Sequence, residues 1–287
     1  MQQPISFEFF PPATPKMEAA LWRSVQALAP LRPRFVSVTY GADGSTRDRT
    51  HRIVQRIQHE TDLTCAPHLT CIGASRNEVL SLAETYWQDG IRHLVALRGD
   101  PPKDAEGYTP RTDGFAYAVD LVAGLASVGN FDISVAAYPE VHPEAPDADF
   151  DLANLKHKID AGATRAITQF FFGTDAFLQF RDRCVNQGID VPIVPGILPI
   201  ANFTRMLKFA ELCGTCVPSW LHKRFAAHAD DPDAQRAIAA DTAIEQVTAL
   251  RTQGVDAFHF YTLNRAELTL EICAALGIEP VGETDVA

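Results

Sequence analysis

The sequence predicts a closed (β/α)8 barrel with an extra helical insertion before the last strand. Strand-like and helix-like segments alternate strictly along the chain. Successive strands mostly begin about 30 residues apart, the repeat of a βα unit. The strand-like runs are also too evenly apolar for a sheet with one wet face, as in parallel sheets covered on both sides. A doubly wound open sheet is the alternative topology.

The first strand is read at 5–10, where Ile5, Phe7 and Phe9 alternate with Ser6, Glu8 and Phe10. Pro11 and Pro12 stop it, because neither can donate to a ladder. Helical periodicity at 15–28 leads to a strand at 35–40, and 48–60 leads to 64–70. The helix at 76–89 then precedes 93–97, 114–127 precedes 132–138, and 150–161 precedes 165–171. After the helix at 175–186 comes the strand at 191–197, followed by helices at 203–213 and 231–252 with the insertion, 219–228, between them. The last strand, 257–262, is followed by a helix at 265–276. Glycines at 90, 162, 188 and 254 close helices, since Gly takes the left-handed position after a last turn. Residues 99–107 are too rich in Gly, Pro and charge for regular structure, and long loops of this kind tend to be functional. Residues 1–278 are expected to form one catalytic barrel and 279–287 a polar, frayed tail.

Composition narrows the function. The chain has 287 residues, 46% hydrophobic and 21% charged, which suits a globular protein with a substantial core. A net charge of −11 argues against nucleic acid or an anionic membrane as partner. No apolar run approaches the roughly 18 residues of a membrane span, and no secretory leader is visible at the N-terminus. Six cysteines without a leader suggest reduced thiols in the cytoplasm.

Barrel chemistry sits at the C-terminal ends of the strands. Those ends carry Glu8, then Thr39 and Tyr40, His68, Arg98 with Gly99 and Asp100, Tyr138 through His142, Gln169, and Tyr261 through Arg265. Each has a bland reading: Glu8 facing solvent on an edge strand, His68 as a satisfied core histidine, Tyr138 as packing. Their shared place on one rim favours a site. Glu8, set among aromatic residues, is expected to lose solvation and to have its pKa raised toward the range of a general acid.

Other motifs carry less. There is no G-x-G-x-x-G and no G-x-x-x-x-G-K-[ST], so a dinucleotide would have to use the barrel rim. Cys213 and Cys216 form a lone CxxC at a helix end, lacking the further ligands that a zinc site needs; no metal is expected. A metal-dependent barrel hydrolase using Glu8, His68, Asp100 and His142 is the alternative function, weakened by the absence of His-x-His on the first strand.

Phe7-Glu8-Phe9-Phe10-Pro11-Pro12, Pro67-His68-Leu69-Thr70-Cys71, Leu97-Arg98-Gly99-Asp100, Tyr138-Pro139-Glu140-Val141-His142-Pro143 and Thr168-Gln169-Phe170-Phe171-Phe172 stand in one order along the chain. With Val38-Thr39-Tyr40-Gly41, Pro195-Gly196-Ile197-Leu198-Pro199 and the run from Phe258 to Arg265, the sequence resembles the bacterial methylenetetrahydrofolate reductases over about residues 5–277. The resemblance implies a flavin-containing (β/α)8 barrel that reduces 5,10-methylenetetrahydrofolate to 5-methyltetrahydrofolate with NADH or NADPH. It also implies the short form without an S-adenosylmethionine-sensing domain, and a homo-oligomer.

Roles follow from the same resemblance. Glu8 matches the catalytic acid and Asp100 the residue beside the flavin pyrimidine edge, both also touching substrate. Gln169, Phe209 and Arg265 match contacts to the folate, Phe209 stacking on its aminobenzoate. FAD contacts are implied for Thr39, Tyr40, Ala42, His68, Arg98, Gly99, Asp100, Tyr117, Ala118, Tyr138, His142, Asp151, Asn154, His157 and Lys158. Lys158 and Arg98 would neutralise its pyrophosphate and Asp151 would take ribose hydroxyls. His157 stands where the family pattern has Arg, and Arg205 where a Gln is common.

Overall fold

The structure is a computed structural model and describes residues 3–40, 47–101 and 107–281. Parallel strands run β1 (Gln3–Phe9), β2 (Pro33–Val38), β3 (Cys65–Thr70), β4 (His93–Leu97), β5 (Asp132–Ala137), β6 (Arg165–Thr168), β7 (Ile193–Val194), β8 (Gly196–Ile197) and β9 (Phe258–Tyr261). The helices are α1 (Pro15–Leu28), α2 (Arg47–Glu60), α3 (Arg76–Gln88), α4 (Ala118–Leu125) and α5 (Ala148–Asp160). They continue with α6 (Thr174–Asn186), α7 (Phe203–Cys213), α8 (Ser219–Ala226), α9 (Pro232–Thr252) and α10 (Glu267–Ala275). The inserted helix before the last strand is α8.

The sheet order is β7-β6-β5-β4-β3-β2-β1-β9-β8, so its two ends are consecutive pieces of chain separated only by Pro195. Eight barrel staves result, the seventh broken where proline has no N–H to donate. Closure at this seam is tight. The Gly196 N–H donates to Thr168 Oγ1 (2.9 Å), and a Cβ at Gly196 would lie 2.2 Å from the Thr168 carbonyl oxygen and 2.6 Å from Tyr261 Cε2. Gly196→Ala is therefore expected to destabilise the barrel by about 1–3 kcal/mol through overpacking. Thermal unfolding checks this; a midpoint within a degree of the parent would refute it.

Besides the broken seventh strand, three further departures from the sequence expectation have a visible cause or consequence. Strand β6 ends at Thr168 rather than at 171, because the next carbonyls are taken by side chains outside the sheet. Thr215 Oγ1 donates to the Phe170 carbonyl (3.0 Å) and Gln246 Nε2 to that of Phe171 (2.6 Å). Strand β2 stops at Val38, leaving Thr39 and Tyr40 on the rim. Helix α4 begins at Ala118, not 114, since Tyr117 is extended and its N–H donates to Asp120 Oδ2 (2.9 Å). Gly114 is held instead by α3, its carbonyl accepting from Arg76 Nε (3.0 Å).

Alternation on β1 sends Ile5, Phe7 and Phe9 outward into the large core shared with α1, and Ser6 and Glu8 inward. Inside the barrel, Phe35, Ala66, Val95 and Ile167 form an apolar layer. The opposite mouth is plugged by Arg165, which donates to Ser134 Oγ (3.0 Å) and Asp132 Oδ2 (2.9 Å) and lies over the Phe35 ring. Phe35 in turn stacks on His93 and on His259 (6.0 and 6.1 Å). One end of the barrel is thus filled, and an open cavity remains at the C-terminal ends of the strands.

Candidate active site

A cavity of about 800 Å³ occupies that end, within the range of cofactor and ligand sites. Glu8 lies at its floor, with 19% of its side chain still exposed. The strand register places Ser6 beside His259, and Glu8 between Ser37 and Tyr261. Ser6 Oγ and His259 Nδ1 share a hydrogen bond of 2.7 Å, which with the Phe35 ring fixes the imidazole and aims Nε2 at Glu8. Glu8 Oε2 lies 3.3 Å from His68 Nε2 and 3.6 Å from His259 Nε2. Both imidazoles are buried.

This geometry corrects the expected pKa of Glu8. Burial does push the carboxyl up, but attraction to His259 and His68 outweighs it and holds the group down to about 2. Two imidazoles, rather than aromatic rings alone, form its surroundings. Tyr261, burdened by burial and by the Glu8 charge, is held well above its ordinary value and donates to the Thr168 carbonyl (2.7 Å).

One wall of the cavity carries two cations set among carboxylates. The Lys158 ammonium, on the inward face of α5, is buried and donates to the Ala136 carbonyl (2.6 Å). Burial depresses it to about 8, although the Asp151 charge pulls the other way. Arg98 projects from the end of β4 over the Tyr108 ring (4.7 Å) and meets Glu144 with both ends of its fork, Nη2 at 2.9 Å from Oε1. Asp151 accepts from the His142 N–H (2.9 Å), and the His142 ring packs edge-on against Tyr138 (4.6 Å). Burial and then the Asp100 charge hold the Tyr138 phenol above its usual range.

The other wall comes from β6 and α7. Gln169 Oε1 accepts from the Phe170 N–H (3.0 Å). Phe209 is 42% exposed for so large an apolar ring, and stacks on Phe170 with centroids 5.2 Å apart and planes 17° from parallel.

The cavity brings together most residues picked out in the sequence. Glu8, Thr39, Tyr40, His68, Arg98, Gly99 and Asp100 line it, as do Tyr117, Ala118, Tyr138, His142, Asp151, Asn154, Lys158, Gln169 and Phe209. Two do not. His157 is exposed on α5, one position from Lys158 and so turned outward, and Arg265 is exposed past the last strand, where its N–H donates to the Thr262 carbonyl (2.9 Å). Ala42 lies outside the described residues. Sequence reasoning missed His259, Glu144 and Tyr108. Inward alternation on the last strand could have found His259, because it shares a face with Tyr261.

A family model described as methylenetetrahydrofolate reductase matches residues 1–277. The chain is 56% identical over 276 residues to the 5,10-methylenetetrahydrofolate reductase of Pectobacterium carotovorum subsp. carotovorum, which covers 96% of this chain and 91% of that protein. The enzyme of the same description from Escherichia coli (strain K12) is 53% identical over 277 residues, with the same coverage of each chain. Among solved structures, a Clostridium thermocellum protein described as binding two copies of 5-methyl-5,6,7,8-tetrahydrofolic acid matches with a TM-score of 0.61. It covers 96% of this chain and 95% of that one at 14% identity, a likeness that shows the barrel fold alone. By family match and by identity along nearly its whole length, the chain belongs to the methylenetetrahydrofolate reductase family.

Proposed function

We propose that this protein reduces 5,10-methylenetetrahydrofolate to 5-methyltetrahydrofolate, using FAD held along the cavity and NADH or NADPH as electron donor, with Glu8 as the acid. The observation that carries this reading is a carboxylate at the cavity floor, gripped by two buried imidazoles, below a wall with two cations. The cavity residues fit FAD. Lys158 offers positive charge to a diphosphate, and Arg98 would do so by exchanging its Glu144 partner for a phosphate oxygen. Asp151 offers acceptors to ribose hydroxyls, and Tyr40 and Tyr138 offer ring faces to a flavin. When bound, FAD supplies the hydride that this protein's own side chains lack.

The side chains act on protons and position. Opening the substrate's five-membered ring breaks the bond between N10 and the methylene carbon, and N10 takes a proton as that bond's electron pair returns to it. The methylene carbon is left as an iminium on N5, and hydride makes it the methyl group. Glu8 delivers the proton. At rest its carboxyl is held low by the hydrogen bonds and charge of His259 and His68. A bound pterin covers the remaining exposed face of Glu8, and the added desolvation raises the carboxyl toward the protonated form at the moment that it is used. Gln169 offers amide donors to the pterin edge, and Phe209 over Phe170 offers a ring face to the aminobenzoyl group.

The metal-dependent hydrolase is not favoured. The family match points elsewhere, and among the described residues no three His, Cys, Asp or Glu side chains are grouped to hold a metal ion.

Absorption of the purified protein tests the cofactor. A flavin spectrum, with nicotinamide oxidation that depends on methylenetetrahydrofolate, is expected; a colourless protein that takes up no FAD would end this reading. Lys158 adds a pH test. An anionic diphosphate stabilises the charged amine, so its pKa rises on binding above the value of about 8 that burial gives it. FAD affinity is then fully present below pH 8 and declines above it, by at most about tenfold per pH unit. Flavin-fluorescence titrations at several pH values measure this, and Lys158→Arg, which stays charged, should flatten the profile.

A further inference from the structure

The turn that follows β5 carries a strained residue. Val141 has φ +73°, in the left-handed region that a β-branched side chain rarely enters. Carboxylates anchor the backbone on both sides of it. Upstream, Glu140 Oε2 accepts from the Cys216 N–H (2.9 Å) in the link between α7 and α8. Downstream, the His142 N–H donates to Asp151 on α5 (2.9 Å). Strain persists where surrounding contacts over-determine a conformation, and these two anchors hold the chain on either side of Val141.

The link held by Glu140 is closely packed. Gly214 ends α7 at φ +68°, and a Cβ there would lie 2.7 Å from Pro143 Cγ. Thr215 Oγ1 donates to the carbonyl of Phe170, whose ring is the one under Phe209. A small pocket, with room for about one water, lies among Tyr138, Glu140, Gln169, Phe170, Cys213 and Thr215. The C-terminal end of α7 is therefore clipped to the rims of β5 and β6 together.

We propose that Glu140 is a positioning residue: its carboxylate clips the end of α7 to the strained turn at Val141 and so sets Phe209 over Phe170 as a platform for the aromatic arm of the substrate. Glu140 does not line the large cavity; it acts through Phe209. Burial pushes the half-buried Glu140 carboxyl up, and the hydrogen bond from the N–H of exposed Cys216 opposes that rise. The inference rests on the proposed function, in which Phe209 meets the aminobenzoyl group.

Glu140→Ala and Glu140→Gln separate the possibilities in the full-length, FAD-loaded protein. The Ala variant is expected to speed hydrogen exchange at the Cys216 amide by about tenfold or more. It should also raise the KM for methylenetetrahydrofolate by about tenfold, while flavin reduction by the nicotinamide stays within about twofold. Glutamine keeps an acceptor oxygen, so Glu140→Gln should stay within about threefold of the parent in all three readouts. An unchanged folate KM in the Ala variant, unchanged exchange at Cys216, equal loss in both half-reactions, or Gln behaving like Ala would each overturn the clip. A parent protein that turns over no folate would overturn the proposed function instead, before any variant is made.

Discussion

Replacing Glu8 by Gln is expected to lower methylenetetrahydrofolate reduction by about 10²-fold or more, the usual contribution of a placed acid. FAD binding and flavin reduction by the nicotinamide should persist. Glutamine keeps the shape at the cavity floor and still faces His68 and His259, but it can neither hold nor pass on an acidic proton. The half-reactions separate this from general damage, because only ring opening needs the proton. Stopped-flow traces of flavin reduction by the nicotinamide and of its reoxidation by folate measure the two steps independently. Reoxidation near the parent rate would remove Glu8 from the role of acid.

The pairing of Glu8 with imidazoles also marks the limit of what was legible in the chain. The barrel was readable because it depends on local features. Apolar runs, helix-ending glycines and a repeat near one βα unit each report on a few neighbouring residues, and the C-terminal rim then follows from topology. Most cavity residues were gathered from that rim. The electrostatic state of Glu8 was not local. His259 reaches the first strand only when the barrel closes, and its partner Ser6 is 253 residues away in the chain. From the run of phenylalanines around Glu8 the foreseeable effect is desolvation, which is indeed the largest single influence. Its sign in the sum is reversed by groups that arrive from β3 and β9. The same limit explains the sixth strand. Phe170-Phe171-Phe172 reads as strand by propensity, yet Phe170 and Phe172 join the cluster around α7 and α8 while Phe171 joins the main core. Side chains from distant segments take the backbone carbonyls that a ladder would have used.

Removing the charge of Asp100 is expected to raise the midpoint potential of bound flavin and to slow its reoxidation by folate, while flavin binding persists. Asp100 lies on the cavity rim two residues past Arg98, and its charge already reaches across the wall. After burial, it is the main cause holding the Tyr138 phenol up, and it acts likewise on the Cys213 thiol. In the proposed FAD complex Asp100 lies beside the flavin pyrimidine ring, where a fixed negative charge opposes the negative charge that reduction adds. Two unit charges about 6 Å apart, at an effective dielectric of about 20, interact by roughly 3 kcal/mol. For a two-electron couple that is on the order of tens of millivolts. Asp100→Asn keeps the size and a hydrogen-bonding oxygen but removes the repulsion, so the flavin becomes the better oxidant and the poorer hydride donor. Reduction by the nicotinamide should hold or quicken as reoxidation slows by about tenfold, the rate equivalent of 1.4 kcal/mol. The two carboxylates are told apart by their signatures: Glu8→Gln stops the proton-dependent ring opening, whereas Asp100→Asn moves the couple. An unchanged or lowered potential in Asp100→Asn would refute the electrostatic role even if turnover fell, because lost substrate contacts alone would slow the reaction without moving the couple.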